Sequence, residues 1–467
     1  MTPKPKLPPG PRGYPIVGCG PHMVRDPLGF MTHFAHSYGD VSAARFGRRW
    51  LYGVNHPDLI EQLYLGRHRE CMKDSTTQDL RPLVGQGLLT AEGDNWRRQR
   101  KLAAPPLQPK RIEAYADAMV ECTLRRVARF RAEEVRDIHA DMMQLTLEIV
   151  GETLLGFDTR RDAERVSNAL EQIVAYYEGR LFTLRGLLPH SLPTPAARRF
   201  QRATGVLDAV VYRMIARCRI DGSDKDHLLA RLLRARGEDG AMMTDLEARD
   251  EAMTMLLAGH ETTALALSYA LYALSTHPEC QAALRFELAQ LGEAPPCLAD
   301  LARLPYLDAV IRETLRLYPP AYAFGRRVIS PFSLGGYELP VGTEVMTSPY
   351  ALHRDSRFFP EPTRFMPERW LSATQSDMPR YAYIPFGVGA RSCIGSHFAK
   401  MELALVLSTL LQQVSLRVVP GFRLELIPVV TLRPRHGVPM LVQRLRARDS
   451  RPLYGNPSLA PPLAAHA

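Results

Sequence analysis

At 467 residues the chain is long enough for one to three domains and a large buried core. With 46% hydrophobic and 23% charged residues its composition is that of a globular protein, which excludes a disordered, collagen-like or coiled-coil chain. The net charge of +10 and a pI near 9.3 favour nucleic acid, a membrane surface or an acidic protein as partner, without choosing among them.

Seven cysteines, at 19, 71, 122, 218, 280, 297 and 393, form no C-x-x-C pair. This argues against a disulfide framework or a cysteine-rich zinc module and makes a reducing cytoplasm the expected location. Lys4 and Lys6 are followed by Leu7-Pro8-Pro9-Gly10-Pro11 instead of an apolar run, so no secretory signal is expected. The Pro-rich opening reads as an extended, non-helical lead-in over 1–20, reaching Pro21. Val41 to Val54, turning near Gly47, reads as a β-hairpin, with a helix from about Asp58 behind it.

From about Pro109 to His277 the pattern is mostly helical, broken near 186–195 and 237–240. Thr244-Asp245-Leu246-Glu247 fits a capping box that opens a long helix, and Pro278 marks its end. Ala252 to His277 carries one formal charge in 26 residues. Gly259, His260 and Glu261 in its middle suit a buried central helix better than a membrane span, where an ionised group is costly. Another helix is expected from about Pro305 to Leu317, ended by Pro319-Pro320. Short alternating stretches over 322–350, with turns at Gly335-Gly336 and Gly342, read as a small β region. A helix from about Ile394 to Val414 and strands such as Val438–Val442 follow, and 447–467 reads as a disordered tail. The expected fold is mainly α with small β-sheets, a single large domain (21–446) built around the long helix.

The chemically informative stretch is Phe386-Gly387-Val388-Gly389-Ala390-Arg391-Ser392-Cys393-Ile394-Gly395. Its glycines let the backbone turn tightly and approach a bulky object. Cys393 lies at the start of an apolar helix, where helix-end N–H groups and Arg391 favour a thiolate. Rival readings fail on spacing: Ser392 stands where a dinucleotide loop needs its third Gly, and Ala264 stands where H-E-x-x-H needs its second His. The stretch resembles the haem-binding signature F-x-x-G-x-R-x-C-x-G of the cytochrome P450 family at all five specified positions. The resemblance extends from about residue 8 to 445 and implies haem b (iron protoporphyrin IX) as cofactor. It makes Cys393 the iron ligand, with Phe386, Gly389, Arg391 and Gly395 around it. Arg outnumbers Lys 52 to seven, which suggests a GC-rich bacterial genome, and the expected family member is a soluble one.

Ala258-Gly259-His260-Glu261-Thr262-Thr263 is similar to the family's oxygen-activation motif. Gly259 weakens the helix, and the Thr262 hydroxyl can bond the Ala258 carbonyl one turn back and bend it. The resemblance implies that Ala258 contacts haem and that Glu261 and Thr262 deliver protons. Glu313-Thr314-Leu315-Arg316 resembles the E-x-x-R motif, with Arg369 as third member of a buried structural cluster. Trp96 and Arg100, four apart, resemble a pair that donates to a haem propionate. Arg391 and Arg326 are the further propionate donors, with Arg327 as the alternative to Arg326.

Together these imply a monooxygenase that activates O2 to hydroxylate or epoxidise a hydrophobic terpenoid, steroid or fatty acid. Phe182, Leu187, Leu188, Leu256, Ala258, Tyr322 and Phe324 are the expected apolar pocket residues, on walls that include 429–433. No flavin, NAD or iron–sulfur signature is present, so electrons are expected from a separate donor, a ferredoxin with its reductase. Neither nucleic acid nor a transmembrane anchor is expected. A peroxide-driven or isomerase-type enzyme and a haem sensor are the alternatives; Glu261-Thr262 argues against the first, the lack of residues for a signalling domain against the second.

Overall fold

The computed structural model describes residues 7–156, 159–181, 183, 189–220, 227–237, 240–371 and 378–445. The expected tail at 447–467 and the pocket residues Phe182, Leu187 and Leu188 lie outside these. The longest helix is Asp245–Thr276. It opens as its sequence dictates: the Thr244 hydroxyl accepts from the Glu247 N–H at 3.2 Å, and the Glu247 carboxylate accepts from the Thr244 N–H at 2.8 Å. Pro278 opens the next helix, Pro278–Ala289. Beyond its charged first turns the long helix is mostly apolar and buried on nearly every side. Ile138–Val150, Pro195–Ile220, Pro305–Leu317 and Ser396–Gln413 lie against it.

Beside this helical core stands a five-stranded sheet. Its order across is Val41–Phe46, Arg49–Val54, Glu344–Thr347, Phe324–Val328 and Cys71–Lys73. Arg49–Val54 and Glu344–Thr347 pair in parallel and the other neighbours antiparallel, with Lys73 opposite Arg326. A hairpin of Leu426–Pro428 and Leu432–Pro434, a second hairpin of Phe332–Leu334 and Tyr337–Leu339, and a three-stranded sheet make up the rest of the β part among the described residues. Among the described residues no helix is long and apolar enough to cross a membrane.

Two expectations need correction. The opening is not extended as far as Pro21: Tyr14 and Gly18 pair with each other, and a helix runs over Gly20–Arg25 with Pro21 in its first turn. Proline suits that position because its missing N–H would have no helical partner there. The helix expected from Ile394 begins at Ser396, with Gly395 as its cap, so Cys393 stands ahead of the helix.

Candidate active site

The cysteine loop is shaped by backbone constraints. Gly387 and Gly389 have φ of +72° and +74°, where other residues are strained. A Cβ on Gly389 would also sit 2.4 Å from the Tyr64 carbonyl oxygen, so the loop is tight against the Gln62–Gly66 segment. Gly395 differs, with φ of −89° and nothing within 4 Å of where a Cβ would be. The Cys393 N–H donates to the Phe386 carbonyl at 2.8 Å and closes the loop. The cysteine keeps accessible surface although protein surrounds it. Burial pushes its thiol up, offset in part by the Gly395 N–H and the Arg100 guanidinium. The expected thiolate preference of a helix end therefore does not prevail by itself, because burial in the loop outweighs it. A metal cation at the sulfur would remove the proton outright.

Behind the loop lies a buried ionic cluster. Glu313 and Arg316 are both fully buried and pair through two bonds of 2.8 Å. Glu313 also accepts from Arg369 Nε at 3.0 Å, Trp370 Nε1 at 2.9 Å and the Met366 N–H at 2.9 Å. Arg316 donates further to the carbonyls of His353, Pro362 and Arg364. His353, which no sequence pattern singled out, links this cluster to the loop: its Nε2 accepts from the Ile384 N–H at 2.9 Å. Burial, with Arg316 beside it, pushes His353 down to about 3, which keeps that nitrogen free to accept.

On the other side the sequence-predicted donors gather. Arg100 donates to the Ser392 carbonyl at 2.9 Å. Arg391 lies over the Trp96 ring at 4.1 Å, donates to the Ala91 carbonyl at 2.7 Å and pairs with Glu92. Arg326 is buried and lies over Tyr64 at 4.8 Å, whereas Arg327 is exposed. A residue the motifs missed, Lys73, joins them by its strand register with Arg326. Burial first, then Arg326 and Arg391, push Lys73 down to about 7. Burial lowers Arg391 to about 10, with Arg326 and Arg100 pressing the same way against Glu92. Cations that depress one another in a desolvated cluster suit a dianionic partner.

The middle of the central helix is the third part. The helix runs without interruption through 258–263, so the bend-prone motif does not break it. Gly259 serves close packing: a Cβ there would lie 3.3 Å from Val150 and 3.6 Å from Leu154. Ala258 is exposed and Thr262 half-buried, although their helix is otherwise deep in the core. The Thr262 hydroxyl donates to the Ala258 carbonyl at 2.5 Å. Glu261 is buried and paired with Arg433 at 2.6 Å. Two further titratable groups lie here, of which Glu402 escaped the sequence reading. Glu402 is a fully buried acid, raised well above the usual range by burial, with the Thr263 hydroxyl opposing the rise. His260 is held neutral by burial, at about 4, beside the Met143 carbonyl.

These parts suit an iron porphyrin. Cys393 offers an accessible sulfur, Gly395 leaves the protein open beside it, and Arg100, Arg326, Arg391 and Lys73 match two propionates. The class they define is a haem-thiolate protein. The family model described as Cytochrome P450 matches residues 8–437. The chain is 35% identical over 427 residues to cyclooctatin synthase of Streptomyces melanosporofaciens, covering 90% of this chain and 92% of that one. It is 35% identical over 445 residues to pentalenene oxygenase of Streptomyces avermitilis, covering 94% and 97%. A structure of retinoic acid bound cyanobacterial CYP120A1 superposes with a TM-score of 0.84 at 24% identity, covering 95% of this chain and all of that one, which supports the fold. The chain belongs to the cytochrome P450 family. It is a haem-thiolate monooxygenase, which takes a substrate, O2 and electrons from a redox partner.

Proposed function

We propose that the substrate is an apolar polycyclic terpenoid, oxidised at a C–H or C=C bond with electrons from a ferredoxin and its reductase in the cytoplasm. The observation that carries the substrate class is 35% identity, over nine-tenths of the chain, to enzymes named for pentalenene and cyclooctatin, both polycyclic terpenoids. In this reading Cys393 holds the haem iron, and thiolate-ligated haem supplies the power to split O2. Trp96, Arg100, Arg326 and Arg391 hold the propionates, and Phe386, Gly389 and Gly395 shape the loop beneath. Ala258 lies against the haem, and the apolar Leu256, Tyr322 and Phe324 orient the substrate and exclude water. Glu261 and Thr262 carry protons from the protein interior to the reacting oxygen. The basic net charge supports an acidic electron donor through charge complementarity.

The test is spectroscopic. The reduced holoprotein under carbon monoxide should show the strongly red-shifted Soret band of thiolate ligation, and Cys393→Ala should abolish it. Titration with pentalenene, a steroid and a fatty acid should then move the iron spin state with the terpene at the lowest concentration. A response to the fatty acid alone would overturn the substrate class, and an unchanged band in Cys393→Ala would overturn the ligand.

A further inference from the structure

Glu261 and Thr262 are neighbours in sequence, yet in this structure each is bonded elsewhere. The Thr262 hydroxyl donates back to Ala258 at 2.5 Å. Glu261 Oε1 accepts from Thr431 Oγ1 at 2.5 Å and from Arg433 Nε at 2.6 Å. Both donors come from the Leu426–Pro428/Leu432–Pro434 hairpin. Glu261 is 7% exposed and Thr431 8%, so these are desolvated, charge-assisted contacts, the strong kind. The hairpin is pinned in turn. Tyr322 donates to the Val429 carbonyl at 2.7 Å, Tyr269 to the Leu432 carbonyl at 2.7 Å, and the Leu432 N–H to Pro320 at 2.9 Å. Between the pinned positions, Val430 is an exposed apolar side chain one residue from Thr431.

We infer that Thr431 and Arg433 are positioning residues that hold Glu261 away from Thr262, and that an apolar substrate meeting Val430 shifts the hairpin and frees the acid. The inference rests on the reading of Glu261 and Thr262 as the proton path. Its consequence is a safeguard. Without substrate the acid stays latched, proton transfer from Glu261 to the Thr262 hydroxyl is slow, and little reductant is wasted. The waste reaction is balanced by two electrons from one NADPH and two protons, which convert O2 to hydrogen peroxide. Proximity supports the trigger, because the hairpin tip is one residue from a donor to the acid that adjoins Thr262.

The experiment uses the holoenzyme with a surrogate ferredoxin and ferredoxin reductase, measuring NADPH consumption and peroxide without substrate, in water and in deuterium oxide. Arg433→Gln should raise the substrate-free rate about tenfold, the worth of a lost charge-assisted bond, and shrink the solvent isotope effect. Arg433→Lys should restore both. Thr431→Val, nearly isosteric, should move both quantities in the same direction and keeps the question open to test if Arg433→Gln folds poorly. With pentalenene as probe, Val430→Gly should raise the concentration that half-shifts the iron spin state, and an unchanged midpoint would overturn Val430 as the trigger. Rates and isotope effects unchanged in Arg433→Gln and Thr431→Val, while Thr262→Ala alters them, would overturn the latch. No change in Thr262→Ala either would overturn the proton path, and the latch with it.

Discussion

Replacing Glu251 by Gln should make stability less dependent on pH, by an amount that follows from burial. Glu251 lies on the central helix and is fully buried. Burial pushes it up to about 8; the Leu88 N–H opposes the rise, and Asp250 and Glu247 add to it. An unfolded glutamate titrates at about 4.3. The folded chain therefore keeps a proton that the unfolded chain releases. The stability this neutral carboxyl contributes is complete below about 4.3 and is lost as pH rises toward about 8. At about 1.4 kcal/mol per pH unit, the loss between pH 5 and pH 8 reaches at most about 3.5 kcal/mol. Gln keeps the shape and does not titrate. The melting temperature of Glu251→Gln relative to the wild-type holoprotein should thus rise by roughly 5 °C between those pH values, at about 1–2 °C per kcal/mol for so long a chain. The difference between the two proteins is the quantity to read. Glu402 acts with the same sign, whereas His353 and His260, held near 3 and 4, contribute stability above about 6.5 that is lost as pH falls. Melting curves that stay parallel from pH 5 to pH 8 would refute the reasoning.

Arg316→Met should remove five hydrogen bonds and leave Glu313 buried beside a neutral side chain, at a cost of about 3–5 kcal/mol. We expect a low Soret-to-protein absorbance ratio in the purified variant, and a full haem complement would contradict the link through His353. Lys73→Met should speed transfer of haem to apomyoglobin about tenfold, the worth of one charge-assisted bond to a propionate. Transfer at the wild-type rate would exclude Lys73 from the propionate site.

The parts of the fold that local chemistry writes were legible. Pro305 and the Pro319-Pro320 pair bracket a helix observed over Pro305–Leu317, and the capping box at Thr244 starts the central one. The hairpin over 41–54 followed from alternation and a glycine turn. The cysteine loop, the Glu313–Arg316 pair and the Trp96/Arg100 spacing were readable because each lies within ten residues. What stayed hidden joins distant segments. Thr431 reaches Glu261 across 170 positions, and Lys73 meets Arg326 only through a strand register. No local period encodes either contact. That Arg326 is buried and Arg327 exposed also became visible only in the sheet.

The same distinction explains why the Glu313 cluster sits so far along the chain from Cys393 and still governs it. A loop with two glycines at positive φ has little conformational preference of its own. Its shape must be imposed from outside, and the anchors are spread around it: His353 on the Ile384 N–H, Arg100 on the Ser392 carbonyl, and Tyr64 against Gly389. His353 can serve only while neutral, and it stays so because burial and the adjacent Arg316 penalise its protonation. Arg316 in turn stays buried only because Glu313 and three carbonyls satisfy it. A charge pair that contributes little net stability is thereby the condition for a neutral imidazole, and the imidazole for a loop held still enough to present one sulfur.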